Sequence, residues 1–302
     1  MKIVTIFVLA LIFSACNKND AVKVEKQATA KVPVATNAVK LEDSRLDQVL
    51  EAQADDTKAR YVYRHPKATL QFFGIKPGMT VAEVLPGGGW YSQILVPYLG
   101  SEGKLIGLDY SKDLWSHFDW ANEAFLTGRQ DWATKWESDA KTWANGDGAT
   151  AVAYSMATAP EELNGSVDAV LFIRALHNMA RFEDQGQFLS KGVQRSFELL
   201  KPGGLVGVVQ HQAAEDKPAA FADGSHGYLK KSFVKETFEK AGFVFVAESP
   251  INENPKDQPS DDDIVWRLPP SFNTSKDNEE LRRKYTDIGE SNRMTLLFKK
   301  PE

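Results

Sequence analysis

The sequence has very little cysteine, no run of basic residues and none of the common metal-binding motifs. Cys16 is the single cysteine among 302 residues, so the chain cannot form an internal disulfide. Lysine and arginine are scattered and the net charge is -5, which is unlike the basic surface of a nucleic-acid-binding protein. Neither His-Glu-x-x-His nor a paired Cys-x-x-Cys is present, and we expect no bound metal. A small molecule is therefore the expected partner, and nucleic acid is not.

The N-terminus has the layout of a secretory signal peptide. Lys2 is followed by an apolar stretch from Ile3 to Phe13 and then by two small residues. A helix needs about 18 apolar residues to span a bilayer, and this stretch is shorter. We therefore predict a signal peptide over residues 1–15 rather than a permanent transmembrane helix.

Cys16 follows directly, where the apolar stretch has ended in small residues. This arrangement resembles the bacterial lipobox, whose cysteine is lipidated and becomes the mature N-terminus. Ordinary cleavage beside a chance cysteine is the alternative, and Phe13 departs from the outermost position of the motif. The resemblance implies an exported protein that is anchored to the membrane by a lipid on Cys16. By the sorting rule of Gram-negative lipoproteins, Asn17 implies the outer membrane, with the protein facing the periplasm.

The rest of the chain divides into a tether and one folded domain. Residues 16–40 show neither helical nor strand periodicity, which is typical of a flexible linker. The domain is predicted to cover residues 41–302. It begins with a short amphipathic helix from Leu41 to Gln53.

Within this domain, short apolar segments alternate with helical ones, which predicts a doubly wound, mostly parallel α/β sheet. Ser111 to Asn145 and Ser249 to Ser291 interrupt the alternation, and we expect both to be insertions at the mouth of a site. The last strand, Arg293 to Lys299, should run antiparallel at an edge or as a final hairpin partner. The other predicted strands are Met79 to Val84, Lys104 to Leu108, Ala149 to Ala153, Asp168 to Ile173, Leu205 to Val209 and Phe243 to Ala247, and the predicted helices are Tyr91 to Leu99, Gln185 to Leu200 and Lys230 to Ala241.

A glycine-rich turn after the first strand is the most informative motif. Gly87, Gly88 and Gly89 let the backbone approach a ligand closely, and the helix that follows offers free N–H groups. Asp109 ends the next strand, where a carboxylate can accept both hydroxyls of a ribose. The contiguous glycines fit neither a Walker motif nor the Gly-x-Gly-x-x-Gly of nicotinamide sites. Together the turn and the acid favour an adenosine-containing ligand; a tight turn beside a solvated aspartate is the alternative.

Three segments resemble class I methyltransferases. They are Glu83 to Gly89, which resembles the first motif, Asp109, which matches the acid of the second strand, and Leu200 to Gly204, which matches the lead into the fifth strand. The resemblance implies a Rossmann-like, seven-stranded sheet of order 3-2-1-4-5-7-6 with an antiparallel seventh strand. It also implies S-adenosylmethionine as cofactor, bound by Glu83, the three glycines and Asp109.

A narrower resemblance, from about Asp56 to the C-terminus, is to a family of exported predicted methyltransferases. It rests on Pro86-Gly-Gly-Gly-Trp-Tyr91, Leu176-His-Asn178 and Ile288 to Met294. Two positions depart from the wider pattern. Leu85 replaces the first glycine, and because it precedes a proline we expect it to be extended, with the strand running one residue further. Ser155 stands after the third strand, where related enzymes often carry an acid for the adenine; a serine can supply one hydrogen bond there.

Histidines at strand ends are the candidates for chemistry, since methyl transfer to oxygen or nitrogen needs positioning and a base. His177 and Asn178 follow one predicted strand and His211 ends the next, so that they can face one pocket at the edge of the sheet. A purely structural role is the alternative for each histidine. Glu290 and Arg293 also match the family, but a surface ion pair explains them equally well.

The leading hypothesis is methyl transfer from S-adenosylmethionine to an unknown small molecule by an exported enzyme. Its difficulty is the compartment, because the cofactor is made in the cytosol. The alternative is a binding module that keeps the fold and holds a nucleoside-like ligand without turnover. A structural protein of the cell envelope is a third hypothesis, which the glycine turn and Asp109 count against.

Overall fold

A computed structural model describes residues 44–302 of the chain. The predicted signal peptide, Cys16 and the tether lie outside the described residues. The first helix, α1, covers residues 44–51, within the predicted span from Leu41 to Gln53. In this part of the chain, no helix has the length and apolar character needed to cross a membrane.

Strands of the described region form one mixed sheet. They are β1 (Thr80–Val84), β2 (Lys104–Asp109), β3 (Thr150–Ser155), β4 (Val167–Ile173), β5 (Leu200–Ala213), β6 (Leu229–Lys230), β7 (Val244–Ser249) and β8 (Arg293–Lys299). Their order is β3-β2-β1-β4-β5-β8-β7, and β8 is antiparallel to both of its neighbours. The expected class I methyltransferase order, 3-2-1-4-5-7-6, is thereby confirmed. The sheet has eight strands rather than seven because the two-residue β6 pairs with β5.

Helices cover both faces of this sheet. After α1 they are α2 (Asp55–Lys58), α3 (Tyr61–Arg64), α4 (Pro66–Phe72), α5 (Ser92–Leu99), α6 (Lys112–Ser116), α7 (Glu123–Gly128), α8 (Trp132–Trp143), α9 (Leu176–Arg181), α10 (Glu183–Gly186), α11 (Phe188–Leu199), α12 (Lys231–Lys240) and α13 (Glu279–Ile288).

Alternate residues of the central strands pack on opposite faces of the sheet. On one face, Val81 of β1 belongs to the same buried cluster as Ile94 of α5. On the other, Phe172 of β4 is clustered with Val193 of α11 and Phe238 of α12. Strands covered on both sides explain the continuous apolar segments of the sequence. The carboxyl ends of the strands are left as the edge at which a ligand can bind.

The predicted helix from Gln185 to Leu200 is wrong as a single element. It is broken at Gln187, whose φ is +56°, and α11 begins immediately after it. The Glu183 carboxylate accepts hydrogen bonds from the backbone N–H groups of Leu189 and Ser190, at 2.7 and 3.2 Å. These bonds provide acceptors for two N–H groups in the first turn of α11, and they thereby stabilise the break in the helix at Gln187.

The position of β8 decides between the two sequence predictions for the last strand. An edge position is wrong, since β8 lies between β5 and β7. At this end of the sheet the edge strand is β7, and its residues alternate between exposed and half-buried. Because β7 has a neighbour on one side only, its side chains are less covered than the apolar sequence suggests.

Both insertions contribute to the carboxyl edge of the sheet. The first contains α6, α7 and α8, and on α8 the rings of Trp132 and Trp136 pack with centroids 6.0 Å apart. The second runs along residues 250–278 before α13. Each supplies a tryptophan, Trp115 and Trp266, to a cavity at this edge.

Candidate functional site

A cavity of about 480 Å³ opens at the carboxyl edge of β1 and β4. The turn after β1, the first turn of α9 and the end of β5 form its walls. Among the site residues predicted from the sequence, Gly87, Gly88, His177, Asn178 and His211 line this cavity. The other four, which are Glu83, Gly89, Asp109 and Ser155, are not among its lining residues.

Leu85 does not adopt the predicted conformation in the glycine turn. Its φ is +52°, so the expected extended conformation is wrong, and β1 ends at Val84. The following proline disfavours the right-handed helical region, but the tight turn takes the left-handed region instead of the extended one. This region costs a non-glycine residue about 1–2 kcal/mol. Gly87 and Gly89 have positive φ as well, and the space around Gly88 is open.

Glu83 is enclosed beneath this turn, with 3% of its surface exposed. Ser92 Oγ, at the start of α5, donates a hydrogen bond to its carboxylate at 2.7 Å. Burial raises the pKa of Glu83 to about 7, although the Ser92 bond and the charge of Arg174 act in the opposite direction. Glu83 therefore joins the strand end to the helix and is outside the residues that line the cavity.

Asp109 ends β2, and one of its two carboxylate oxygens is already engaged. Trp115 Nε1 donates to Oδ2 at 3.2 Å, and Arg129 forms an ion pair with the same oxygen. The other oxygen, Oδ1, is buried and has no partner among residues 44–302. Burial raises the pKa of Asp109, opposed chiefly by the hydrogen bond and charge of Arg129. One buried acceptor is thus available at this strand end.

A second cavity, of about 450 Å³, lies beyond Asp109. Ser155 stands opposite Asp109 in the pairing of β3 with β2, but it is not part of the lining. The residues that follow these two, Met156 and Tyr110, do line this cavity. Helix α6 contributes to both cavities, with Trp115 in the first and Leu114 in the second.

His177 and His211 lie together, with ring centroids 5.4 Å apart. Gln210 fixes the tautomer of His177. Its Nε2 donates to the carbonyl oxygens of Gly227 and His211, at 3.1 and 3.4 Å, so its Oε1 is the atom 3.4 Å from His177 Nδ1. Because an amide oxygen only accepts, Nδ1 carries the proton and Nε2 keeps a free lone pair.

Both imidazoles are neutral near pH 7. Burial lowers the pKa of His177 to about 4. Burial, followed by the charges of His177 and Arg174, lowers the pKa of His211 well below its usual value. Ser291 Oγ lies 2.5 Å from His211 Nδ1, and β5 continues past His211 to Ala213, so His211 does not end its strand.

Asn178 is the third predicted residue on this wall. It lines the cavity, and its Oδ1 is buried without a partner in the described part of the chain. Within that part, no three His, Cys, Asp or Glu side chains form a group that could hold a metal ion.

Sequence reasoning missed an arginine cluster in the same cavity. Arg60, Arg64 and Arg293 all donate to the Glu290 carboxylate, with Arg64 at 3.1 Å and Arg293 at 3.0 Å. The surface ion pair considered for Glu290 and Arg293 is wrong, because each is 3% exposed beneath the helices that begin the domain. Arg174, which directly follows β4, completes the cluster. Its place after a strand and before His177 was the available sequence signal.

No protein-family model and no curated protein matches the chain. Solved structures match it at low identity. An S-adenosylmethionine-dependent methyltransferase from Aquifex aeolicus is 16% identical with a TM-score of 0.44, over 68% of this chain and 93% of that one. A 1,6-didemethyltoxoflavin-N1-methyltransferase from Burkholderia thailandensis is 11% identical with a TM-score of 0.45, over 90% and 93%. The cyclase SpnF is 12% identical with a TM-score of 0.47, over 79% and 80%.

Proposed function

We propose that the chain is an S-adenosylmethionine-dependent methyltransferase that acts on a small molecule. The observation that carries this proposal is the 480 Å³ cavity in which the glycine turn faces His177, Asn178 and His211. A donor at the turn and an acceptor beside the imidazoles would share this one cavity. S-adenosylmethionine supplies an electrophilic methyl group, so the protein's own residues have to bind the reactants, orient them and take up a proton.

The proposed cofactor side consists of the three glycines, Asp109 and Ser155, with Glu83 beneath the glycine turn as its support through Ser92. The unpaired Oδ1 of Asp109 fits a hydroxyl donor such as that of a ribose, because a buried acceptor without a partner is costly. Since Arg129 and Trp115 occupy Oδ2, one hydroxyl can bind without displacing them. The cavity after β2 and β3 is the proposed place of the adenine.

On the acceptor side, His177 is the proposed base. Its pKa of about 4 keeps it neutral, so no proton has to leave before it can act. Nε2 carries the free lone pair and can take the proton of an attacking oxygen or nitrogen. The unpaired Oδ1 of Asn178 can accept a hydrogen bond from the same molecule and orient it.

A direct test is calorimetric titration of the detergent-solubilised full-length protein with S-adenosylmethionine and S-adenosylhomocysteine. We expect saturable binding of both, followed by methyl transfer to a component of envelope extract. A folded protein that binds neither compound would refute the proposal.

A second candidate is a binding module without turnover. The ion pair of Arg129 with Asp109 favours it, because it occupies part of the place proposed for the ribose. The predicted export also separates the chain from the cytosolic supply of cofactor. This candidate predicts ligand binding with no methylated product, which distinguishes it in the same assays.

We further propose that the chain is an exported lipoprotein of the outer membrane that faces the periplasm. In this proposal residues 1–15 are the signal peptide, 16–40 the tether and 41–302 the domain. The position of Cys16 after the apolar stretch supports it. Cys16→Ser should release the protein from membrane fractions and abolish labelling by a fatty-acid probe. A wild type that is not labelled would contradict lipidation.

A further inference from the structure

The cavity has a strongly cationic wall. Arg60, Arg64 and Arg174 line it, and Arg293 lies directly behind. Glu290 is the carboxylate that the first, second and fourth of these arginines share. Four arginines around one carboxylate leave an excess of positive charge. Burial, and after it the positive charge of Arg174, lower the pKa of Arg64 to about 9.

Arg174 is the arginine that the protein does not satisfy. No side-chain hydrogen bond of its guanidinium exists within residues 44–302, and its Nε is buried without a partner. The charge of Glu290 acts on Arg174, and that of Arg174 acts on Glu83, but neither carboxylate hydrogen bonds to it. Arg174 is half-buried, and a buried N–H donor without an acceptor is costly, so this Nε points to a ligand.

The backbone holds Arg174 in position. Its φ of +58° places it in the left-handed region, and its N–H donates to the carbonyl oxygen of Val209 at 2.7 Å. Non-glycine residues adopt this conformation rarely, and residues in rarely populated backbone regions cluster at functional sites. The side chain therefore enters the cavity from a fixed point, on the same wall as His177.

We propose that the methyl acceptor carries an oxyanion group, a carboxylate or a phosphate, which binds the guanidinium of Arg174 while the accepting atom lies at His177. This inference rests on the proposed methyl transfer. Guanidinium groups bind both kinds of oxyanion through paired N–H donors. Arg60 and Arg64 add charge on the same side of the cavity.

Charge balance favours the methyl acceptor over the cofactor as the molecule that binds Arg174. S-adenosylmethionine carries one carboxylate, one ammonium and one sulfonium, so its net charge is positive. A positively charged wall repels such a molecule as a whole, whereas an anionic acceptor complements both the wall and the cofactor.

The test is a set of calorimetric titrations and thermal melts of the full-length protein in chloride-poor buffer, with inorganic phosphate and with acetate as probes. The variants are Arg174→Gln, Arg174→Lys and the matched control Arg283→Gln. Arg283 is 73% exposed and pairs only loosely with Glu279 at 3.8 Å. Melts without ligand establish that each variant is folded.

We expect at least one probe to bind the wild type saturably, and the tighter one identifies the kind of oxyanion. Arg174→Gln should weaken that binding at least tenfold, Arg174→Lys less, and Arg283→Gln not at all. Equal binding by Arg174→Gln and wild type would overturn the proposal. So would the absence of saturable binding of either probe.

A second set of titrations separates acceptor from cofactor. S-adenosylmethionine and its decarboxylated analogue should each bind Arg174→Gln as tightly as wild type. Weakened binding of S-adenosylmethionine alone would show that Arg174 holds the cofactor carboxylate, which overturns the proposal. A wild type that binds phosphate but not S-adenosylmethionine would refute methyl transfer while leaving the oxyanion site in place.

Discussion

Replacing Glu290 by glutamine should destabilise the protein strongly at neutral pH. The carboxylate is 3% exposed and accepts hydrogen bonds from three arginines, of which Arg64 and Arg293 are themselves almost fully buried. Glutamine keeps the shape but removes the negative charge. The variant therefore leaves buried cations without a counter-ion in the structure.

The size of the effect follows from these contacts. Removing one partner of a buried ion pair costs about 3–5 kcal/mol. Separate hydrogen bonds to charged groups cost about 1.5–3 kcal/mol each, but they do not add when they share one carboxylate. We therefore expect a loss of about 3–5 kcal/mol. With a urea slope of about 3 kcal/mol per molar, the unfolding midpoint should fall by roughly 1 M or more.

Urea unfolding followed by circular dichroism measures this loss, and Glu279→Gln is the matched control. Glu279 also pairs with an arginine, but it is 93% exposed, so its loss should be within about 0.5 kcal/mol. The neighbouring arginines, Arg293 first, lower the pKa of Glu290 against the effect of burial. The stability that ionised Glu290 contributes is therefore complete above its usual pKa of 4.5. It is lost as the pH falls through the lower pKa that Glu290 has in the folded protein. If Glu290→Gln and Glu279→Gln had the same midpoint at pH 7, the ion cluster would not stabilise the fold.

Three further predictions concern the strand ends. His177→Ala should leave the affinity for S-adenosylmethionine nearly unchanged and lower turnover about a hundredfold, because it removes the proposed base; wild-type turnover would exclude this role. Asp109→Asn should weaken cofactor binding by about ten- to a hundredfold, since a charged acceptor is lost, and an unchanged dissociation constant with an intact fold would remove the ribose role. Glu83→Gln tests the raised pKa of Glu83. Protonated Glu83 stabilises the wild type fully below pH 4.5, and this stabilisation is lost as the pH rises to about 7. The free energy of unfolding of the variant should therefore rise by about 3 kcal/mol relative to that of the wild type over this interval. Urea titrations at several pH values measure this gain, and a difference that is independent of pH would contradict the shift.

The central strands could be predicted because both of their faces are buried in an apolar environment. Arg293 to Lys299 was predicted residue for residue, and β1 to within one residue. Strands that are buried on both faces have continuous apolar sequences, so their pattern is unambiguous. The start of β5 at Leu200 was missed, since Lys201, Pro202 and the two glycines that follow give no strand signal although the sheet includes them.

Residues at strand ends could be found for the same reason, whereas the arginine cluster could not. His177 and Asp109 come at or just after the ends of apolar segments, and the end of such a segment indicates where a strand ends. Arg60 and Glu290 are 230 positions apart, and nothing in the sequence shows that they meet or that they are buried. Long-range pairing of charges depends on the packed fold, which a local pattern does not contain.

The place of β8 makes the order of synthesis differ from the order of assembly. β7 is made before β8, yet β8 is the strand it pairs with in the sheet of residues 44–302. A growing chain therefore holds β7 without its neighbour in the sheet until β8 has been synthesised. Loss of β8 would remove the neighbour of β7 as well, and would leave the edge of β5 open to pairing with another chain.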